Sequence, residues 1–314
     1  MLGRTASSIF WMYRYLERAE NTARLLEAGA RMALTRGADG AEDEWRSVIV
    51  TLGLRKAYEA AHDVYTGPQV CNFVLRDADN AESVLKMVES ARNNARASRT
   101  SITAEVWEAV NEGWMTLKGA MARPVRDAAL GEVLRQIRRE ATLVRGATYG
   151  SMYRNDIYHF ARSGTYLERA DNTARILDVK YYLLLPSYSY VGSTLDSGQW
   201  DNVLRSLSGR RAHRSLNAGR MDARGIAELL ILDGRFPRSF PFCYEALSDN
   251  LQALAEMHGQ ESRANTLMQE AKNKLAAATI DTIFDTGLHE FLVNFIVGNQ
   301  AIATAIAEDY LFAD

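Results

Sequence analysis

Acid, amide and guanidinium side chains recur at one helical spacing in two places, and this combination is the chain's best candidate for chemistry. The first set is Glu17, Glu20, Asn21 and Arg24; the second is Glu168, Asp171, Asn172 and Arg175. At 100° per residue each set falls on one side of an α-helix. Two carboxylates three residues apart are the raw material of general acid–base catalysis or of a carboxylate metal site. A metal fits poorly, because Arg24 and Arg175 sit one turn from the acids and repel a cation. The simpler reading is an i,i+4 Glu–Arg pair on a solvated face, worth a few tenths of a kcal/mol. A buried network is a third reading, since charges taken out of water must be paired. Network, ligand or partner site, and solvated face all stay open at this point.

Other chemistry is thinner. The five histidines, His62, His159, His213, His258 and His289, form no His-Glu-x-x-His or His-x-x-x-His spacing. Cys71 and Cys243 have neither metal-ligand spacing nor the density of a disulfide framework. Walker loops, dinucleotide-binding glycine patterns and nucleophile elbows are missing. The expectation is therefore no metal and no cofactor. Two arginine groups are secondary candidates. Arg92, Arg96 and Arg99 share one face near the end of a helix, where cations also suit the helix dipole. Asp233, Arg235 and Arg238 belong to a double-proline turn, Asp233-Gly-Arg-Phe-Pro-Arg-Ser-Phe-Pro241.

The elements that position the main set are a duplicated helix. Tyr15-Leu-Glu-Arg-Ala-Glu-Asn-Thr-Ala-Arg-Leu-Leu26 returns as Tyr166-Leu-Glu-Arg-Ala-Asp-Asn-Thr-Ala-Arg-Ile-Leu177, identical at ten of twelve positions and half a chain away. Leu16, Ala19, Ala23, Leu26, Ala30 and Ala33 follow 3-4-3-4-3 spacing, an Ala-rich stripe that lets a partner helix approach closely. The spacing predicts helices over about 5–35 and 158–185.

Between and after them the pattern predicts helices over 42–62, from about 81 to 98, 104–117, 128–145, 200–207, 223–232, 244–258, 261–283 and 286–311. Breaks fall at Gly67-Pro68 and Arg123-Pro124, with loops at 148–155 and 187–199. Thr103 and Asp77-Ala-Asp-Asn80 read as helix caps. Alternating apolar residues are too few to propose a sheet. The expected fold is all-α, a compact bundle of about ten helices, one domain over 1–314 with motif-bearing halves of roughly 1–150 and 151–314.

The apolar fraction of 47% and charged fraction of 24% are those of an ordinary globular protein. A net charge of −2 argues against general nucleic-acid binding, which rests on neutralising phosphates. Only six of the 37 basic residues are lysine, a bias that a GC-rich genome also produces. The N-terminus shows no secretory pattern, and no run approaches the roughly 20 apolar residues of a membrane span. A cytoplasmic protein without membrane contact is the expectation.

The duplicated Leu-Glu-Arg-Ala-[Glu/Asp]-Asn-Thr-Ala-Arg element resembles the hallmark of the bacterial alpha-E domain family. So do Arg99-Thr-Ser-Ile-Thr-Ala-Glu-Val-Trp-Glu108, Leu195-Asp196-x-x-x-Trp200 and the Asp233–Ser239 turn. The resemblance covers essentially the whole chain. It implies a context rather than an activity: such proteins are usually encoded beside an ATP-grasp-like protein and a transglutaminase-like cysteine peptidase, and are sometimes fused to the former. That context implies a non-catalytic accessory or peptide-binding protein in an amide-ligation system. The alternative is an enzyme that uses a Glu/Arg cleft between the two motif helices.

Overall fold

A computed structural model describes residues 3–36, 38–183, 194–216, 221–259 and 261–312. Among these residues every regular element is a helix, fifteen in all. The all-α expectation holds, and the surplus over ten helices comes from short elements and from long expected helices that are split. The chain divides into two compact units, an N-terminal unit of Ser8–Tyr158 and a C-terminal unit of Met1–Ser7 with His159–Asp314. Each contains one copy of the motif.

The N-terminal unit holds most of α1 (Gly3–Arg36), then α2 (Ala38–Thr51), α3 (Arg55–Glu59), α4 (Gly67–Arg76), α5 (Val84–Ala97), α6 (Ala104–Ala120) and α7 (Asp127–Ser151). The helix expected over 42–62 is two helices, because Gly53 adopts φ of 72° and turns the chain between α2 and α3. Gly67-Pro68, expected as a break, instead opens α4, where proline's missing N–H costs nothing. Thr103 caps α6 by accepting from the Val106 N–H, whereas α5 starts after Ser83 rather than at the Asp77–Asn80 turn. The expected loop at 148–155 begins only after Ser151, where α7 ends.

Leu16 and Ala19 of the apolar stripe face α5, α6 and α7 across a void of only about 10 Å3. Gly113 makes the α6–α7 contact possible: a Cβ there would lie 3.3 Å from the Glu140 Cβ. Ala23 and Leu26 are fully buried and Leu16, Ala19 and Ala33 are buried, while Ala30 is half-buried, so most of the stripe is core.

The C-terminal unit is built from most of α8 (Asp156–Leu183), then α9 (Thr194–Ser206), α10 (Arg210–Leu216), α11 (Ala223–Ile231), α12 (Phe240–His258), α13 (Arg263–Ala277), α14 (Ile280–Thr286) and α15 (Leu288–Asp309). Within the stretch expected as a loop over 187–199, residues 194–199 are helical and residues 187–193 lie outside the described residues. The single helix expected over 261–283 is split at Thr279, whose side chain forms a capping box with Thr282 and starts α14.

α8 is tied to its neighbours by polar contacts. His159 pairs with Asn250 of α12 at 2.8 Å, Asn299 of α15 donates to the Leu167 carbonyl at 3.1 Å, and His289 of α15 meets Asp178. By length and composition α15 is apolar enough to cross a membrane, unlike the expectation for this chain, although a third of its apolar window is buried inside the unit.

Candidate functional site

In the first copy the polar stripe is an inter-helix clamp. Glu17, Glu20 and Asn21 are 3%, 1% and 2% exposed. Arg145 of α7 spans both acids, donating to Glu17 Oε2 at 3.1 Å and to Glu20 Oε2 at 2.6 Å. Arg24 holds the other oxygen of Glu20, with Nε at 3.1 Å and Nη2 at 2.7 Å. The clamp continues in both directions. Seven residues on, Glu27 takes a bond of 2.6 Å from Arg138, itself seven residues before Arg145. One turn earlier, the Tyr13 hydroxyl is hydrogen-bonded to Thr148 at 2.6 Å. As numbers rise along α1 they fall along α7, so the two helices run antiparallel, and matched seven-residue steps keep acid opposite guanidinium.

The second copy is the same sequence in other surroundings. Glu168 is buried at 3% exposure, like Glu17. Asp171 pairs with Arg175 at 2.6 Å, but this arginine side chain is 45% exposed, against 19% for Arg24. Asn172 is half-buried where Asn21 is buried. The flank of α8 is covered by the double-proline turn: Thr173 Oγ1 donates to the Arg238 carbonyl at 2.8 Å, and Arg169 reaches the Pro237 carbonyl at 3.4 Å. Arg238 is buried, so its backbone supports α8 while its side chain leaves solvent.

Of the other turn residues, Arg235 is exposed and folds back on Asp233 with bonds of 2.7 and 3.0 Å. Those bonds hold the Asp233 carboxyl below its ordinary range. The three arginines at 92, 96 and 99 do not converge on one point. Arg92 donates to Asn111 at 2.8 Å and lies 4.3 Å over the Trp114 ring, Arg99 lies 5.1 Å over Trp107, and Arg96 is exposed. Arg92 and Arg99 thus make cation–π contacts with tryptophans of α6.

A family model, Alpha-E, described as "a predicted alpha-helical domain with a conserved ER motif", matches residues 1–311. The chain belongs to the Alpha-E family. Its only two Glu-Arg dipeptides are Glu17-Arg18 and Glu168-Arg169, one in each motif helix. Uncharacterized proteins of Mycobacterium bovis and of two Mycobacterium tuberculosis strains are each 22% identical to this Alpha-E chain, over 97% of it and 36% of their own length. The chain thus spans about a third of the curated relatives it matches. No solved structure matches it.

Chemically, the first Alpha-E copy is built to hold charge in place. Two acids at 1–3% exposure, gripped by guanidinium groups, offer a substrate little access, and cations beside them oppose a metal. No group of three or more His, Cys, Asp and Glu among the described residues is placed to ligate one. Sequence reasoning missed Arg145, Arg138 and Glu27, which complete the clamp. The signal was present in the equal steps Glu20 to Glu27 and Arg138 to Arg145, complementary in sign on two amphipathic helices.

Proposed function

We propose that this Alpha-E chain is a non-catalytic accessory protein, cytoplasmic, that binds a peptide or an ATP-grasp-type amide ligase. It would work beside that ligase and a transglutaminase-like peptidase in modifying a peptide or protein tag. One observation carries the non-catalytic part. The acids of the first motif are buried and paired to Arg145 and Arg24, which suits a rigid binding module better than a proton-transferring site, where an acid must reach the proton it moves. The length of the relatives, most of which lies outside the matched region, agrees with a module that acts beside other domains. The identity of the partners comes from the family resemblance.

The test is reconstitution. The isolated chain is expected to hydrolyse no ATP and to ligate no amino acids. Mixed with the ATP-grasp-like protein encoded beside it, it should co-elute in size-exclusion chromatography with light scattering, or change that protein's ligation rate. Turnover by the isolated chain, abolished by Glu17→Gln or Glu168→Gln, would establish an enzyme instead. Absence of both a complex and any rate change would remove the accessory reading.

A further inference from the structure

Four helices of the C-terminal unit, α12 to α15, surround a cavity of about 500 Å3, within the range of small-molecule sites. Its walls are apolar, with Leu267, Leu275, Ile283, Phe291, Phe295 and Ile302 among them. One buried polar side chain joins them. Tyr244 is 2% exposed, its ring stacks on Phe295 with centroids 4.9 Å apart, and its hydroxyl makes no hydrogen bond with any described residue. Burial, aided by the neighbouring Cys243 and Asp171, pushes the phenol far above the ordinary tyrosine range, so it stays protonated and can donate.

The rim carries one charge of each sign. Glu270 and Lys274 stand one turn apart on α13, both exposed, and neither makes an ion pair with a described residue. Their charges are opposite, so the mouth favours neither an anion nor a cation. We propose that this cavity binds a small, net-neutral, largely apolar molecule bearing one hydrogen-bond acceptor, such as a ketone, ester or amide carbonyl, which takes the bond that the Tyr244 hydroxyl has to give. The site does not depend on the accessory reading of the motif helices.

The neutral fluorophore N-phenyl-1-naphthylamine, which brightens on leaving water, serves as reporter. It is expected to bind one molecule per chain saturably. Butyrophenone should displace it at least tenfold more tightly than 4-phenylbutyrate or 4-phenylbutylamine, and several-fold more tightly than butylbenzene. Tyr244→Phe should keep reporter binding and lose the preference for ketone over hydrocarbon. Gly298 lies in the cavity wall, and a Cβ built there meets nothing within 4 Å. Gly298→Phe should therefore fill the space and weaken the reporter at least tenfold, with the circular dichroism melt unchanged. Ala301→Phe fills the same space and replaces it if Gly298→Phe fails to fold.

The proposal falls if binding does not saturate, or if a charged analogue displaces the reporter best. It also falls if the folded filling variant binds like the parent, or if the signal follows self-association measured by light scattering. A ketone preference that survives Tyr244→Phe removes the role assigned to the hydroxyl.

Discussion

Replacing Arg145 by Met is expected to destabilise the N-terminal unit by about 2–4 kcal/mol. The guanidinium serves two carboxylates, on Glu17 and Glu20, whose side chains are 2% and 1% exposed. Breaking a buried ion pair from one side costs about 3–5 kcal/mol, because the remaining charge stays buried without its partner. Two features lower the figure. A quarter of the Arg145 side chain is exposed, so solvent screens part of the interaction, and Arg24 still grips Glu20 at 2.7 Å. Methionine keeps much of the aliphatic stem, so lost packing is a small part of the change.

Urea unfolding followed by tryptophan fluorescence reads this unit selectively, since Trp11, Trp45, Trp107 and Trp114 lie in it and only Trp200 lies elsewhere. Glu17→Gln in the Arg145→Met background should recover part of the loss, with a coupling of about 1–3 kcal/mol. Arg175→Met is the control: that arginine is 45% exposed, and its pair should be worth less than about 1 kcal/mol. An Arg145→Met transition within about 1 kcal/mol of the parent, or an equal loss from Arg175→Met, would refute the clamp.

Three other outcomes follow from burial. Ala23→Leu and Ala174→Leu, each at a fully buried position, should each cost about 1–3 kcal/mol by overpacking; unchanged calorimetric melts for both would remove the Ala stripes from the core. His213 is fully buried with both ring nitrogens lacking a partner among the described residues, and burial lowers its pKa. The folded state therefore binds the proton less readily than the unfolded chain. Its stabilising share is complete above the ordinary histidine value near 6.5 and is lost as pH falls toward the depressed value. His213→Leu should flatten the melting temperature measured between pH 7 and 5, and an unaltered slope would contradict this. Cys71 and Cys243 are buried, and burial pushes the Cys71 thiol up to about 12. Neither should react with Ellman's reagent at pH 8 until the chain is unfolded.

Local periodicity made the helical class legible, together with the two motif helices and the Ala stripe, because each depends on residues within one or two turns. The helix breaks at Gly53 and Thr279 were harder to see. Gly53 is one glycine in an otherwise continuous pattern, and Thr279 becomes a cap only through its bonds to Thr282. Proline misled for a related reason, since Pro68 marks a helix start as readily as an end. The clamp was half legible. Glu17, Glu20 and Arg24 stood out by repetition, whereas Arg145 becomes their partner only through the antiparallel register of α1 and α7. The cavity could not be read at all. Its walls come from four helices, and the sequence pattern merges α13 and α14 into one.

Nearly identical motif sequences place their side chains in unlike surroundings. Arg18 is part-exposed and reaches Glu82 at 2.7 Å, while its counterpart Arg169 is buried and reaches a backbone carbonyl of the double-proline turn. Glu20 is bound by two arginines, whereas Asp171 pairs with the more open Arg175. The twelve residues dictate a helix and a buried stripe, and the rest of each unit decides what the polar edge meets. A role assigned to the motif as such must therefore rest on what both copies keep. Among these are the fully buried alanines at 23 and 174 and the glutamates at 17 and 168, each 3% exposed. A carboxylate at that depth must be paired, so its first consequence is to fix how its helix packs.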